Sequence, residues 1–210
     1  MLCMLVVTVA NLKGGVGKTT SAICLAQAAA EAGETAMVVD SDPQGSAMRW
    51  GQLALDRDEP LSVLVTAHAG ADLPRYVESL SSTAVLIDTG PSRSNEDVKV
   101  LRSAIKAASL VVVPCQPSGV DLDTIGAALD VCEEHDRQAV VLLTRTKAPT
   151  LVRDVRAPLA DAGAHVLDAE VPDRASVVRS YGFAPPPEVL EPYRAAWAEV
   201  SALARVETGR

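Results

Sequence analysis

The segment KGGVGKTT, residues 13–20, gathers two lysines, three glycines and two threonines into eight residues. Its end, Gly17-Lys18-Thr19, follows the phosphate-loop rule G-x-x-x-x-G-K-[ST], but Leu12 stands where that rule places its first glycine, and Lys13 adds a second lysine. Glycine suits such a loop because, without Cβ, the backbone N–H groups of Gly14, Gly15, Val16 and Gly17 can converge on phosphate oxygens. A helix beginning near Gly17 adds the positive end of its dipole, and Thr20 lies in its first turn. Lys18 would neutralise β and γ phosphates, and the Thr19 hydroxyl would be offered to Mg²⁺. A merely flexible glycine turn would need no lysine and threonine in register behind it. A dinucleotide fingerprint fails, since Thr20 occupies the position of its third glycine.

Three aspartates extend this chemistry. In DSDPQG, Asp40 and Asp42 bring two carboxylates together after an apolar run, an arrangement that repels itself unless cations are present. Mg²⁺ together with Lys18 would supply them. A solvated Asp-Pro turn is the alternative, against which the preceding apolar run places Asp40 at a strand end. In VLIDTGPS, apolar residues again deliver a carboxylate, Asp88, to a strand end, where it can hold Mg²⁺ directly or through water.

The elements that must position these residues are legible as β-branched runs at 5–10, 36–40, 62–66, 84–88, 110–114, 139–144 and 164–167, with helical segments between them. Alternation of this kind predicts an α/β chain with a mostly parallel twisted sheet, helices on both faces and ligands at the carboxyl ends of the strands. The motif residues all fall at those ends. The whole of 1–210 is expected to form one domain of the P-loop NTPase type, its 48% apolar but only 3% aromatic residues favouring small-residue packing. Residues 185–187, all proline, precede a last helix with Pro192 near its first turn and Gly209 at its end; Tyr193, Ala196, Trp197, Val200 and Ala204 share its core face, and Arg194 and Arg205 another, exposed one. Cys3, Cys24, Cys115 and Cys132 form no C-x-x-C pair and read as buried small hydrophobes in a reducing cytosol. The net charge of −8 excludes a protein basic all over, so nucleic-acid contact would need a local patch. No run has the ~20 apolar residues of a membrane span, and a cytoplasmic protein is expected.

KGGVGKTT, DSDPQG, VLIDTGPS and VVPCQPSGVDLDTI, in this order, resemble the ParA family of DNA-segregation ATPases, within the deviant Walker A group that also includes the cell-division regulator MinD. The chain is similar to the small type without an N-terminal helix-turn-helix. The resemblance implies hydrolysis of ATP with Mg²⁺ and a nucleotide-sandwich homodimer. In it Lys13 reaches across to the phosphates held by the other subunit, Asp42 orients or activates the attacking water, and Asp40 and Asp88 support Mg²⁺. It also implies that Arg145, after Thr144, and Pro172, between Val171 and Asp173, border the adenine. Arg174 and Arg194 match positions of DNA-contacting arginines, which implies non-specific DNA binding, nucleoid association and a ParB-like centromere-binding partner that stimulates hydrolysis. Solvated helix faces would also account for these arginines. A MinD-like membrane-associated regulator is the main rival; it would need a basic amphipathic tail with bulky apolar residues, which residues 203–210 lack. An iron–sulfur carrier would need a second cysteine near Cys115, and a metabolic ligase or kinase on the same fold is a further alternative.

Overall fold

The computed structural model describes residues 4–117 and 119–208. Seven strands form one sheet: β1 (Leu5–Val9), β2 (Ala36–Asp40), β3 (Leu64–Ala67), β4 (Ala84–Asp88), β5 (Leu110–Cys115), β6 (Ala139–Thr146) and β7 (His165–Pro172). Their order is β3-β2-β4-β1-β5-β6-β7, and every pairing is parallel. β1 therefore lies between strands that continue in opposite directions across the sheet, which is where the crevice of an open α/β sheet forms.

The helices are α1 (Lys18–Glu31), α2 (Ser46–Asp56), α3 (Leu73–Glu78), α4 (Asn95–Ala107), α5 (Gly119–Glu133), α6 (Pro149–Asp161), α7 (Ala175–Arg179) and α8 (Pro187–Thr208). Alternate residues of each strand face opposite layers. Leu5, Val7 and Val9 of β1 pack with α1, α2 and α8, and Val6 packs in the layer containing α3 and α4. Cys24, Cys115 and Cys132 are buried, as expected, and Cys3 lies outside the described residues. Burial raises the Cys132 thiol to about 12 and Cys24 further still, so both remain protonated.

β3 and β7 depart furthest from the expected runs. β3 starts at Leu64 rather than at 62, because the Ser62 N–H donates to Oε1 of Gln27 on α1 before the ladder with β2 begins at Met37↔Leu64. β7 runs five residues past the expected 167, with Leu167, Ala169 and Val171 buried in alternation. Its register against β6 shifts twice, and Glu199 of α8 accepts the N–H groups of Asp168 and Ala169 beside the irregularity. That extension carries Val171 and Pro172 to the same end of the sheet as Thr144 and Arg145.

α8 begins at Pro187, as the proline run implies, with Pro192 in its sixth position and Gly209 outside the described residues. Tyr193, Ala196, Trp197, Val200 and Ala204 are all buried, as their spacing predicts. Pro192 has no N–H for the Glu188 carbonyl four residues before it. The Arg174 guanidinium donates to that oxygen instead, at 3.1 Å.

Candidate nucleotide-binding site

The site is built around the turn from β1 into α1. Asn11, buried at the end of β1, donates from Nδ2 to the Pro114 carbonyl at 2.8 Å and accepts the Lys13 N–H at 2.9 Å, anchoring the loop to β5. Leu12, in the place of the usual first glycine, packs as a half-buried side chain against the core layer containing Ala10, Leu101 and Ile105. On the other side, the Thr144 hydroxyl donates to the Val16 carbonyl at 3.0 Å, and Gln116 Nε2 donates to the Gly15 carbonyl at 3.0 Å. Gly15 and Gly17 have φ of 78° and 94°, the left-handed region in which a Cβ is strained. Gly17 is the N-cap of α1 and offers no side chain to the free N–H groups of the first turn, which leaves them available to an anion.

Lys18 is buried and its Nζ donates to the Lys13 carbonyl at 2.8 Å. Burial pushes its amine below the ordinary lysine range, the charges of Asp88 and Asp42 pull it back, and the charge of Arg93 pushes it further down. Asp88 is fully buried, and neither carboxylate oxygen has a hydrogen-bond partner. Burial lifts its carboxyl to about 8; the Thr19 hydroxyl opposes the shift, the nearby Asp40 charge adds to it, and Lys18 opposes it. Asp40 and Asp88 stand side by side in register on β2 and β4.

The two are not equivalent. Asp40 accepts the Asp42 N–H on Oδ1 at 3.1 Å and the Met48 N–H on Oδ2 at 2.9 Å, so both oxygens serve the turn into α2. Burial raises its carboxyl while those backbone N–H groups lower it. A buried carboxylate with both oxygens unsatisfied is costly unless a cation completes it, so Asp88 with the Thr19 hydroxyl fits a divalent ion that also takes phosphate oxygens. Asp40 fits a supporting place behind that ion. Among the described residues no cluster of three His, Cys, Asp or Glu side chains forms a metal site from protein ligands alone.

Asp42 closes a turn through its carbonyl, which accepts the Gly45 N–H, and its Oδ1 accepts the Gln44 N–H. It faces the loop after β4 so closely that a Cβ on Gly90 would come within 2.9 Å of its carboxylate. Sequence reasoning missed this contact, because nothing in the spacing of residues 42 and 90 signals it.

Two cavities meet over the loop. One is lined by Gly14, Lys18, Thr19, Asp42, Pro91 and Arg93, among others, and is suited to phosphates. The second, about 200 Å³, is mostly apolar and lined by Val16, Trp50, Val171, Pro172, Val177 and Tyr193, with Thr144, Arg145, Asp173 and Arg174 at its polar positions. Gly17, Thr20 and Arg145 line both. Arg145 itself has φ of 50°, an uncommon conformation for a side-chain-bearing residue. Arg145 and Pro172, expected beside the base, thus flank an apolar cavity continuous with the phosphate site. Its outer wall, residues 173–183, is tied to α2: Trp50 Nε1 donates to the Phe183 carbonyl at 2.8 Å, and Arg57 stacks over the Phe183 ring.

Arg174 and Arg194, expected at a DNA surface, are both engaged within the chain. Arg174 serves the Glu188 carbonyl. Arg194 forms a two-pronged ion pair with Glu31 of α1, and Arg205 pairs with Glu34. The expected exposed face of α8 is therefore partly neutralised.

The chain matches the family described as CbiA, the CobQ/CobB/MinD/ParA nucleotide binding domain, over residues 7–186. It is 38% identical over 165 residues to the maintenance of carboxysome distribution protein A of Gloeobacter kilaueensis, covering 72% of this chain and 68% of that one. It is 33% identical over 156 residues to the chromosome-partitioning ATPase Soj of Thermus thermophilus, covering 61% of each. The fold superposes with a TM-score of 0.72 on the septum site-determining protein MinD complexed with Mg-ADP from Pyrococcus horikoshii, at 18% identity over 97% of this chain and 98% of that one. A loop that leaves helix N–H groups free, a buried unsatisfied carboxylate beside Thr19 and a matched stretch that includes every one of these residues lead to one assignment: the chain belongs to the CobQ/CobB/MinD/ParA nucleotide-binding family.

Proposed function

We propose that the chain is a Mg²⁺-dependent ATPase of the partition type, whose ATP-bound form pairs with a second copy and holds cargo until hydrolysis separates the pair. The observation that carries the reading is Asp88, buried and unpartnered beside Lys18 and Thr19 at the mouth of a glycine loop. The backbone N–H groups of residues 14–18 would bind the β and γ phosphates, and Lys18 would leave the Lys13 carbonyl to neutralise them. Thr19 and Asp88 would hold Mg²⁺, which supplies charge neutralisation between the phosphates. Asp42 would orient the attacking water. Water oxygen bonds to the γ phosphorus as its bond to the bridging oxygen of ADP breaks; the water proton ends on phosphate, directly or through Asp42, and the products are ADP and phosphate. Positioning and charge neutralisation do most of this work, so intrinsic turnover should be slow. Lys13 would complete the site of the second copy, an ammonium on a flexible stem acting across the interface.

DNA bound without sequence preference, with a ParB-like protein stimulating hydrolysis, is the cargo reading the partition relatives support. A protein compartment as cargo is the second reading, supported by the carboxysome-distribution relative and by the ion pairs that occupy Arg194 and Arg205. No helix among the described residues is long and apolar enough to cross a membrane. Retention on plasmid-length unrelated duplex and on anionic liposomes, each with ATP, ADP or no nucleotide, separates these readings. ATP-dependent, salt-sensitive retention on DNA alone supports the first. Binding to neither surface, with ATPase activity intact, favours a protein cargo, and liposome binding alone favours a MinD-like regulator.

A further inference from the structure

We propose that Arg93 is a third cation of the phosphate site, contacting the terminal phosphate from the same chain that supplies the glycine loop. The assignment rests on the ATP reading above. Arg93 follows β4 in the loop leading to α4, and nothing in its sequence surroundings marks it as functional.

Its placement is specific. Arg93 lines the phosphate cavity together with Gly14, Lys18, Asp42 and Pro91, none of which reaches the apolar base cavity. The two cavities join at Gly17, Thr20 and Arg145, so Arg93 lies at the end away from the base, where the last phosphate and Asp42 would meet. The guanidinium rests on the loop itself: Nη2 is 4.0 Å from where a Cβ on Gly14 would stand. Its charge is felt at Lys18, whose amine it helps to push down.

The backbone beneath it is anchored to the first turn of α4. Asp97 Oδ2 accepts the Arg93 N–H at 3.0 Å and the Ser94 N–H at 2.9 Å, and Ser94 Oγ accepts the Asp97 N–H at 3.2 Å, a reciprocal cap at the start of α4. The guanidinium makes no ion pair among the described residues. A cation that lines the phosphate cavity beside another cation, Lys18, and forms no ion pair among the described residues is set up to receive an anion. The planar fork of arginine matches two oxygens of a terminal phosphate.

Calorimetric titration with ADP and with a non-hydrolysable ATP analogue, both with Mg²⁺, tests this in the intact chain, in Arg93→Ala and Arg93→Lys, and in each again on a Lys13→Ala background. Circular dichroism melts check that each variant is folded. Arg93→Ala is expected to weaken the analogue about tenfold or more, the scale of one lost charged hydrogen bond, and to leave ADP within about twofold. Arg93→Lys should recover part of the loss. The same loss on the Lys13→Ala background confirms a contact within one chain; its disappearance there would move Arg93 to the partner's site and overturn the proposal. An unchanged ratio of analogue to ADP affinity in Arg93→Ala also overturns it while leaving the ATP reading intact. Failure of the unsubstituted chain to bind the analogue would remove the ATP reading and the proposal together.

Discussion

Asp88 and Lys18 share the same buried space, and burial shifts each from its ordinary range, the Asp88 carboxyl up and the Lys18 amine down. For Asp88 the folded carboxyl titrates near 8 and the unfolded one near 3.8. The native state therefore binds more protons than the unfolded state between those values, and stability falls as pH rises through that window. In the absence of nucleotide and Mg²⁺, Asp88→Asn is expected to raise the melting temperature at pH 8 by about 2 °C or more, the shift of about 1 kcal/mol in a chain of this size, and to do little at pH 4. Melts at the two pH values check it, and a gain equal at both would contradict the burial account. Lys18→Ala should abolish ATP binding in calorimetry, since the N–H groups and dipole of the loop would remain without its charge; normal binding would remove the phosphate-loop assignment. The meeting of Lys18, Thr19 and Asp88 at one place was legible because register in the loop and a polar residue ending an apolar run are local signals. Arg93 and Gly90 were not, because their meaning lies in contacts with Gly14 and Asp42 on other loops.

The strands were legible as elements because β-branched runs bounded by polar residues repeat along the chain, and six of the seven agree with expectation to within two residues at either end. β7 does not, and β3 starts two residues late. Their limits are set by side chains from helices, Gln27 and Glu199, that take strand N–H groups, and no local pattern encodes those bonds. β7 matters more, since its added residues bring Pro172 to the same apolar cavity as Arg145. At this scale the β2–α2 and β4–α4 connections act as a pair, because Gly90 leaves the space that the Asp42 carboxylate fills. Gly90→Ala is expected to push Asp42 out of place, lowering kcat about tenfold or more while ATP affinity changes less than about threefold. Equal loss in both would mean that Gly90 shapes nucleotide binding and not the position of the water-orienting carboxylate.

Across the whole molecule, the acidic balance seen in composition takes a specific form on the α1–α8 surface, where Glu31 and Glu34 pair with Arg194 and Arg205. The order of charges along the sequence does not show that these acids and bases meet across neighbouring helices. If Arg194 contacts DNA, then Glu31→Gln should strengthen ATP-dependent retention on duplex DNA several-fold at low salt, the gain shrinking as salt rises. An unchanged retention would place the DNA surface elsewhere. The central claim is that ATP joins two copies through Lys13, and light scattering on a size-exclusion column with Mg²⁺ tests it most directly. The account predicts a dimer with ATP in Asp42→Ala, which should hydrolyse slowly enough to hold it, a monomer with ADP, and a monomer with ATP once Lys13→Ala is added. A dimer that forms with ATP in the Lys13→Ala variant, or no dimer with ATP in any form of the chain, would contradict it.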